Sequence, residues 1–431
     1  MKTDDLGEQR ALSALRHQGV LASTELQALL GKSQPTVSRT MRRLGAQVLA
    51  LGAGRRARYA APQQILGLPP QQALLWVHED GRRSAWGTLS FIVGERVHVQ
   101  AGGVDLLAVG RLPWFLAPLR PAGFLGRLLA QRLALHGAAS DPECWSIEQV
   151  LFAALHTPDA PGALVLGEVS AGSQPGASPT GASPSAWDAL AADVANTLPA
   201  GSLAGGEQAK FLAVEGDRHV LVKFTPPRGT PFGERWHDLL HAEHLAHAVL
   251  AEHGVPVAPT RIVETPARTY LESTRFDRIG LHGRRHVVPL DAVHDEFVAG
   301  ARQHWGATCD ALARQRRLPA DAAAQARALL HFGRLIGNTD MHFGNLSLFV
   351  DLPDVARGRF TLAPLYDMLP MRWRPDPGSG ALDLTPFEPP ADALASPARP
   401  VAAAYWQRVA AHTEISRGFR DLAKEMSARV R

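Results

Sequence analysis

A short polar segment, GNTDMHFGN at residues 337–345, carries side chains that could transfer a phosphoryl group. Asp340 and Asn345 stand in an Asp-x4-Asn spacing, after an apolar pattern typical of a helix and before one typical of a strand. A second predicted strand then leads to Asp367. Phosphoryl transfer from ATP needs one carboxylate to orient the attacking hydroxyl, and an amide and a second carboxylate to hold Mg²⁺ against the phosphates. The spacing alone is common by chance, and Asp367 after the strand pair strengthens the prediction.

The residues upstream supply the other groups that such a site needs. Lys223 lies in HVLVKF, whose alternation predicts a strand, and Glu243 follows in a predicted helix, where its carboxylate could hold the ammonium group. Before both lies GSLAGGEQAKF at 201–211, where backbone N–H groups around Gly205 and Gly206 could bind phosphate oxygens. Taken separately, Lys223 could be a surface lysine and the glycines an ordinary hairpin. In this order the groups reproduce the series of an ATP-dependent protein kinase.

Lysine is scarce in this chain, since only five of its 45 basic residues are lysines. A GC-rich coding bias replaces lysine by arginine wherever either residue would serve. A lysine that is retained therefore indicates a need for a compact ammonium group. Chance retention of any one of them is the alternative. The five are Lys2, Lys32, Lys210, Lys223 and Lys424.

The bulk composition predicts a globular chain with two or three domains. The 431 residues are 45% apolar and 20% charged, and no apolar run approaches the roughly 18–20 residues of a membrane span. Two cysteines, Cys144 and Cys309, are too few for a disulfide framework or a metal cluster. The first residues do not resemble a secretory signal, so a reducing bacterial cytoplasm is the expected location.

Positive charge is concentrated at the N-terminus. Residues 1–62 contain ten Lys or Arg and four Asp or Glu, whereas the remainder has a net charge of −2. Three helical patterns, followed by two short strands around a Gly-Arg turn, predict a winged helix-turn-helix domain over residues 1–63. The basic charge indicates DNA binding, and a small helical bundle without a ligand is the alternative.

The third helix of this domain would present polar side chains to DNA. Val37, Met41 and Leu44 share its apolar face, which leaves the other side chains free for the major groove. Arginines of the wing would contact phosphates, and a homodimer on a palindromic site is expected because one module rarely suffices. The predicted DNA contacts are Gln34, Thr36, Arg39 and Arg43 on the helix and Arg55, Arg56 and Arg58 on the wing.

The rest of the chain mixes strands and helices, which predicts an α+β fold. A Gly/Ser/Pro/Ala-rich stretch at 170–185 predicts a flexible insertion. We expect an N-lobe over 64–280, which contains β-strands, the Gly-rich loop and this insertion. A mostly helical C-lobe with the catalytic loop is expected over 281–431.

Several segments resemble the HipA-type serine/threonine kinases, the toxins of bacterial persistence modules. GNTDMHFGN followed by LAPLYDMLP is similar to the family signature, RFDR at 275–278 to its hinge segment, and PWFLAPLRPAGFLGR at 113–127 to its N-terminal region. The resemblance covers about residues 70–431, and a winged helix before it resembles the YjjJ branch in particular. It implies a bilobal protein-kinase-like fold with ATP and Mg²⁺ as cofactors.

The resemblance also implies a role for each residue of the catalytic series. Asp340 would be the catalytic base, and His342 would support the catalytic loop. Asn345 and Asp367 would bind Mg²⁺, and Lys223 would contact the phosphates of ATP.

Other positions are assigned by the same resemblance, with two departures from the family pattern. The backbone around Thr274–Phe276 would meet adenine, although Thr274 replaces the hinge glutamate. The Gly-rich loop has Gln-Ala-Lys at 208–210, ending in Lys210, where the family usually has Gln-Pro-Lys. Ser202 opens this loop, where the family often carries a self-phosphorylated serine.

These inferences predict a toxin kinase that phosphorylates Ser or Thr of a protein and binds DNA for autoregulation. The family points to the translation machinery as substrate, aminoacyl-tRNA synthetases especially, by analogy alone. Two alternatives stay open: a transcription regulator with an inactive or sensory kinase-like domain, and a small-molecule phosphotransferase. The presence of all four of Lys223, Asp340, Asn345 and Asp367 argues against an inactive site.

One predicted helix is rich in histidine, which raises the alternative of a metal site. It contains no His-Glu-x-x-His pattern, and its carboxylate is already assigned to the kinase series, so a polar helix face is the expected explanation. The histidines are His237, His241, His244, His247 and His253.

Overall fold

The N-terminal unit of this computed structural model consists of three helices and a three-stranded sheet. The structure describes residues 3–52, 57–133, 139–157, 159–167, 184–197, 208–376 and 379–431. Val37, Met41 and Leu44 pack with apolar side chains of the first two helices in a small core of their own. Strand β3 pairs with both β1 and β2. The elements are α1 (Thr3–Gln18), β1 (Val20–Ala22), α2 (Ser23–Leu30), α3 (Gln34–Leu44), β2 (Leu49–Leu51) and β3 (Arg58–Ala60).

The middle region, residues 64–167, is built on a five-stranded antiparallel sheet. Its strand order is β7-β6-β5-β4-β8, and alternating apolar side chains of these strands pack against two helices. A 3-10 helix at Trp114–Leu119 connects the sheet to the first of them. The elements are β4 (Gln71–Val77), β5 (Arg83–Ile92), β6 (Arg96–Ala101), β7 (Val104–Val109), α4 (Gly123–Leu133), α5 (Ile147–His156) and β8 (Leu164–Leu166).

A second, four-stranded antiparallel sheet follows, and we call it the N-lobe sheet. Its order is β11-β12-β10-β9, so that β10 lies inside the sheet next to β12. One face packs with α6 and α4, and long helix α7 lies between β10 and β11 in the chain. The elements are α6 (Pro184–Thr197), β9 (Lys210–Glu215), β10 (Arg218–Phe224), α7 (Pro231–Glu252), β11 (Thr260–Glu264) and β12 (Thr269–Thr274).

The C-terminal region is mostly helical, with a small three-stranded sheet of order β15-β16-β17. Its core is continuous with that of the middle region, in one cluster of buried side chains from Ile65 to Val430. The elements are β13 (Arg278–Ile279), β14 (Gly283–Arg284), β15 (Val287–Pro289), α8 (Leu290–Phe297), α9 (Trp305–Arg314), α10 (Ala320–Leu335), β16 (Ser347–Phe349), β17 (Thr361–Leu362), α11 (Ala391–Leu394), α12 (Arg399–Ala411) and α13 (Arg417–Val430).

Two features differ from the sequence expectations. Helix α6 was not predicted, and it begins inside the stretch 170–185 that was expected to be flexible throughout. Trp187 explains the helix, because it is fully buried against Phe211 and Tyr270 of the N-lobe sheet. The described part of the expected N-lobe, 64–280, contains the five-stranded sheet and the N-lobe sheet, whereas the sequence expectation did not divide its strands between sheets. None of the described helices has both the length and the apolarity needed to cross a membrane.

Candidate active site

Asp340 lies in a loop that its neighbouring amides hold in place. The loop runs from α10 to a short 3-10 helix at Phe343–Asn345, and β16 follows. The Asp340 N–H donates to the Asn338 side-chain oxygen at 2.9 Å, and the Asn345 side-chain amide donates to the Asp340 carbonyl at 2.8 Å. Asn345 is buried, whereas the Asp340 side chain is 51% exposed. The backbone is therefore fixed while the carboxylate stays accessible, as a group that must meet a substrate requires.

His342 braces the same loop. The Gly344 N–H donates to His342 Nδ1 at 3.0 Å, and the Trp305 indole N–H donates to the His342 carbonyl at 3.0 Å. His342 Nε2 lies 3.8 Å from the Asp340 carboxylate. This geometry agrees with a supporting role, and Trp305 is a partner that the sequence did not reveal.

Lys223 joins two carboxylates from distant parts of the chain. Its Nζ donates to both oxygens of Glu243, at 2.6 and 2.7 Å, and also contacts Asp367 Oδ1. Lys223 lies on β10, Glu243 on α7, and Asp367 beyond β17. Val222 and Phe224 pack in the core on the α6 side of the sheet, so the alternation of β10 turns Lys223 to the other face.

These contacts keep Lys223 and Asp367 charged. Burial alone would lower the pKa of Lys223, but the carboxylates of Asp367 and Glu243 raise it above its usual value. Burial would raise the pKa of Asp367, but Lys223 and Lys210 hold it well below its usual range. Burial raises the pKa of Glu243, and Lys223 opposes that shift. Removing one member of such a group leaves an unpaired buried charge.

Lys210 is a second cation at the site. It begins β9 and pairs with Lys223 across the ladder. Burial lowers the pKa of Lys210, Asp367 opposes this shift, and the charge of Lys223 adds to it. Two lysines side by side provide a local positive charge that suits a polyanion such as a phosphate chain.

Asp367 has a backbone conformation that residues other than glycine rarely adopt, with φ at 54°. The Asn338 side-chain amide donates to the Asp367 carbonyl at 3.4 Å, and Leu365 donates its N–H to the Pro256 carbonyl at 3.0 Å. Strain of this kind costs on the order of 1–3 kcal/mol and is frequent at functional sites. The fold thus holds the segment of Asp367 in place from both sides.

A cavity of about 1010 Å³, which we call the catalytic cavity, connects these groups. Its inner wall carries the catalytic series, and part of its outer wall comes from the middle region. From the series Lys210, Lys223, Asp340, His342, Asn345 and Asp367 line it, and from the middle region Arg111, Arg120 and Arg127 do so. The predicted adenine segment Thr274–Phe276 is not part of this lining.

The oxygen donors in the catalytic cavity fit a magnesium ion. Asp367 offers a carboxylate that remains ionised because of the lysines beside it. The Asn345 amide nitrogen already donates to the Asp340 carbonyl, so its oxygen is the atom left for a metal. Carboxylate and amide oxygens are the hard ligands that Mg²⁺ prefers, usually together with water and substrate phosphates.

Thr274 and Phe276 lie where β12 leaves the N-lobe sheet, and we call residues 274–278 the hinge. The Thr274 hydroxyl accepts a hydrogen bond from Arg218 at 3.2 Å, and its N–H donates to the Pro259 carbonyl at 2.9 Å. The Phe276 ring packs on Tyr366, with ring centroids 5.5 Å apart, one residue before Asp367. The hinge therefore contacts the segment of Asp367 through an aromatic pair.

Tyr366 is a site residue that the sequence analysis missed. Its hydroxyl donates to the Gly344 carbonyl at 2.6 Å and lies 2.7 Å from the Ser347 hydroxyl. It thereby links the hinge, the catalytic loop and Asp367. The LYDML segment offered no signal for this, since an aromatic residue beside a buried strand is expected to be core.

Comparisons with known proteins identify the family of this chain. Residues 202–431, more than half of the chain, match the family model of the HipA-like C-terminal domain. Residues 68–173 match the YjjJ-like toxin, middle domain. Toxin YjjJ of Escherichia coli (strain K12) is 34% identical over 440 residues, which cover 97% of both chains. This chain belongs to the HipA family, in its YjjJ-like branch.

A solved structure shows that the fold is shared as well. The Shewanella oneidensis MR-1 toxin–antitoxin system HipA, in a complex with HipB and its operator DNA, has a TM-score of 0.53 to this chain at 16% identity. The likeness covers 83% of this chain and 95% of that one. The predicted α+β, HipA-like fold is therefore confirmed.

The predicted DNA-contacting residues of this HipA-family chain have different surroundings. Gln34 and Arg39 are exposed on α3, and Arg39 donates to the Thr36 hydroxyl at 3.4 Å. Arg43 instead forms an ion pair of 2.7 Å with Glu8 of α1. Arg58 is exposed at the start of β3.

Several predicted residues lie outside the described part of the chain. They include the glycines and the serine of the Gly-rich loop and two arginines of the wing. These are Ser202, Gly205, Gly206, Arg55 and Arg56.

The histidine-rich helix α7 of this family member uses its side chains in internal hydrogen bonds. Ligand atoms of His237, His241 and Glu264 lie within 4.8 Å of one another. Both ring nitrogens of His237 are already bonded, to the Thr269 hydroxyl at 2.7 Å and the Glu414 carbonyl at 2.8 Å. These bonds agree with the expected polar face and connect α7 with the C-terminal helices.

Proposed function

We propose that this HipA-family chain is an ATP- and Mg²⁺-dependent protein kinase that transfers the γ-phosphoryl group to Ser or Thr. The observation that carries the proposal is the convergence of the predicted series in one cavity. Lys223, held by Glu243, meets Asp367 there, with Asp340 and Asn345 on the same wall. Five side chains predicted separately from sequence would not be expected to meet at one site by chance.

Each group has a distinct chemical task. Lys210 and Lys223 would bind phosphate oxygens, and Glu243 would keep Lys223 charged and oriented. Asn345 and Asp367 would hold Mg²⁺, which would supply the charge that neutralises the phosphates in the transition state. Asp340 would orient the attacking hydroxyl and accept its proton. The amides of Asn338 and Asn345 keep the Asp340 backbone in place for that transfer.

A protein substrate fits the openness of the site. The Asp340 carboxylate is half exposed, so an acceptor loop can approach it from the solvent. Residues of the middle region also line the cavity. The family resemblance directs the first search to aminoacyl-tRNA synthetases, in the cytoplasm. A small-molecule phosphotransferase would use the same inner wall, and only the acceptor distinguishes the two.

The experiment is a transfer assay with γ-labelled ATP and Mg²⁺, with purified synthetases and a fractionated lysate as acceptors. The proposal expects label on Ser or Thr of a protein, and none with Asp340→Asn. Label confined to a small molecule would support the phosphotransferase instead. No transfer by a chain that binds Mg²⁺ and ATP would support the inactive, sensory alternative.

We further propose that Ser202 is self-phosphorylated. A dianion in the Gly-rich loop would compete with ATP phosphates for the same N–H groups and would inhibit the kinase. Mass spectrometry of the protein after incubation with ATP tests this, with Ser202→Ala as the control. An unmodified Ser202 peptide from active enzyme contradicts it.

The N-terminal unit is proposed to bind DNA through α3 and the wing, as a dimer on a palindromic site, for autoregulation. The support is the basic charge of residues 1–62 and the exposed Gln34 and Arg39 on α3. A gel-shift series on the promoter of its own gene, at two salt concentrations, tests it. If no shift appears at low salt, the unit would contact protein instead of DNA.

A further inference from the structure

A buried ionic cluster joins the middle region to the hinge. Asp159 lies in the loop between α5 and β8, and its Oδ1 accepts from Arg275 at 2.9 Å and from Arg278 at 2.7 Å. Asp277, between the two arginines, accepts from Arg275 at 3.0 Å through each of its carboxylate oxygens. Arg278 also donates to Asp277 Oδ2 at 2.5 Å. Two carboxylates and two guanidinium groups therefore interlock.

The cluster is withdrawn from solvent. The side chains of Arg278 and Arg275 are 2% and 9% exposed, and that of Asp159 is 15% exposed. Burial alone would raise the pKa of Asp159, but the charges of Arg275 and Arg278 lower it below its usual value. Arg284 lies close enough to add positive charge, and burial together with Arg278 lowers its pKa to about 9. Asp159 is thus a large part of the negative charge that balances these arginines.

The backbone of the middle region takes part in the same contacts. Gly162 donates its N–H to Asp277 Oδ2 at 2.9 Å, and Arg278 donates to the Ala160 carbonyl at 2.9 Å. The loop of Asp159 therefore contacts the hinge at three successive points. This loop lies within the part that matches the YjjJ-like middle domain, whereas the hinge lies in the HipA-like C-terminal domain.

The cluster is connected to the catalytic cavity through two aromatic residues, Phe276 and Tyr366. Phe276 stands between Arg275 and Asp277, and its ring packs on Tyr366 at 5.5 Å and on Phe349 at 5.8 Å. Tyr366 in turn precedes Asp367, and its hydroxyl donates a hydrogen bond to the Gly344 carbonyl of the catalytic loop. A shift of Arg275 would therefore move Phe276 and the contacts behind it.

We propose that Asp159 of the middle region is a positioning residue for nucleotide binding, because it fixes the hinge, whose Phe276 ring packs on Tyr366 beside Asp367 of the catalytic cavity. This inference rests on the proposed ATP binding. The middle region is then a part of the nucleotide site and not only a neighbour of it. Without Asp159, Arg275 and Arg278 share the carboxylate of Asp277, and the hinge is no longer held in one conformation.

The test is calorimetric titration of the full chain with Mg²⁺ and a non-hydrolysable ATP analogue, combined with kinase kinetics. Asp159→Asn keeps the size of the side chain and removes its charge. We expect the Kd and the KM for ATP to rise roughly tenfold or more, because a misplacement of about 1 Å in the groups that bind the nucleotide can cost up to about 10²-fold, while kcat at saturating ATP stays within about twofold. Asp159→Glu, which keeps the charge, should restore part of the affinity.

Two controls separate positioning from general loss of stability. Leu89→Ala removes a buried side chain of β5 in the middle region without touching the hinge. Glu252→Gln breaks the exposed ion pair with Arg408, a two-point contact at 2.7 and 2.9 Å. Both should bind the analogue as the wild type does.

Three results would overturn the inference. One is wild-type affinity in Asp159→Asn, and another is an equal loss of affinity in Leu89→Ala. If Asp159→Asn does not fold, Arg275→Lys is the second variant, because it keeps the charge but not the two-point contact. Wild-type affinity in Arg275→Lys is the third result that would overturn the inference. A wild-type chain that binds no analogue would instead refute the proposed function, and the inference with it.

Discussion

The catalytic cavity and helix α3 of the N-terminal unit are both rich in charge, but they hold it in different ways. In the cavity, Lys223, Glu243 and Asp367 come from distant positions, lie largely buried and neutralise one another. On α3, Arg39 and Arg43 lie one turn apart on an exposed surface, and of these Arg43 has a carboxylate partner at 2.7 Å. The charged groups in the cavity have partners within the chain before a ligand binds. On α3, the proposed DNA could supply such partners.

The energies differ accordingly. Removing one partner of a buried ion pair costs about 3–5 kcal/mol, because the other charge is left without compensation. Exposed pairs contribute about 0–1 kcal/mol. We therefore expect substitutions in the cavity to act through chemistry and stability, and substitutions on α3 to act through DNA affinity alone.

The largest expected effect is that of Asp340→Asn. Loss of the base should lower phosphoryl transfer roughly 10²–10⁴-fold, since general base catalysis contributes about that much. Nucleotide binding should persist because Asn345, Asp367 and both lysines remain, and DNA binding should be unchanged. Single-turnover transfer, nucleotide titration and a gel shift on the same preparation measure the three properties. A variant that phosphorylates at the wild-type rate would show that the catalytic loop is misassigned.

Acid should destabilise the kinase part of the chain through buried neutral histidines. Burial lowers the pKa of His286 and of His247 to about 4. His286 Nδ1 accepts the Ala163 N–H at 3.2 Å, and its Nε2 donates to the Phe115 carbonyl at 2.9 Å, so protonation would break the first bond. The folded pKa lies below the unfolded value of about 6.5, so their contribution is complete above pH 6.5 and is lost toward pH 4.

The expected loss of unfolding free energy is about 2 kcal/mol per histidine between pH 7 and pH 5. Denaturant titrations at both pH values measure it. His286→Gln should be less stable at pH 7 and should lose less on acidification. An equal pH dependence in wild type and variant would show that His286 is not the responsible group.

A smaller effect is expected for Arg39 on α3. Arg39→Ala should weaken specific DNA binding by roughly 1–3 kcal/mol and relax the preference at one base pair, because a bidentate contact to a base edge is lost. Phosphoryl transfer should be unaffected. Competition gel shifts with single-base variants of the operator measure both affinity and specificity. A uniform loss across all sequences would assign Arg39 to phosphate contacts instead.

The smallest effect is expected for Arg43, which sharpens the contrast within α3 itself. Arg43 already forms an ion pair with Glu8, so DNA binding would have to compete with that contact. Arg43→Ala should weaken DNA binding by at most about 1 kcal/mol, and Glu8→Gln should strengthen it slightly by releasing the guanidinium. Salt-dependent gel shifts of both variants provide the measurement. A loss as large as that of Arg39→Ala would contradict the assigned pairing.

The same contrast explains what the sequence could predict. The spacing of Asp340 and Asn345 is local, and the strand of Lys223 and the helix of Glu243 follow from periodicity, so these residues could be proposed from the sequence alone. The three helices and the strands β2 and β3 of residues 3–60 follow from glycines and apolar faces in the same way, whereas β1 was not predicted.

Long-range contacts account for what the sequence did not reveal. The hydroxyl contacts of Tyr366 and the ion pairs of Asp159 join residues that are 19 or more positions apart. The left-handed backbone of Asp367 likewise lies in a segment that distant residues hold. Helix α6 was missed because its stability comes from burying Trp187 against the N-lobe sheet and not from its own sequence pattern. Propensity is a weak guide where tertiary packing decides.

The most direct test of the account is calorimetric titration of the full chain with ATP, with and without Mg²⁺, for the wild type, Asp340→Asn and Asp367→Ala. We predict that the wild type and Asp340→Asn bind ATP with Mg²⁺ and far more weakly without it. Asp367→Ala should lose the Mg²⁺ dependence, because it lacks the carboxylate beside Lys223 that we propose would hold the ion. Wild-type binding that is equally strong without Mg²⁺, or that persists with its Mg²⁺ dependence in Asp367→Ala, would contradict the assignment of this cavity.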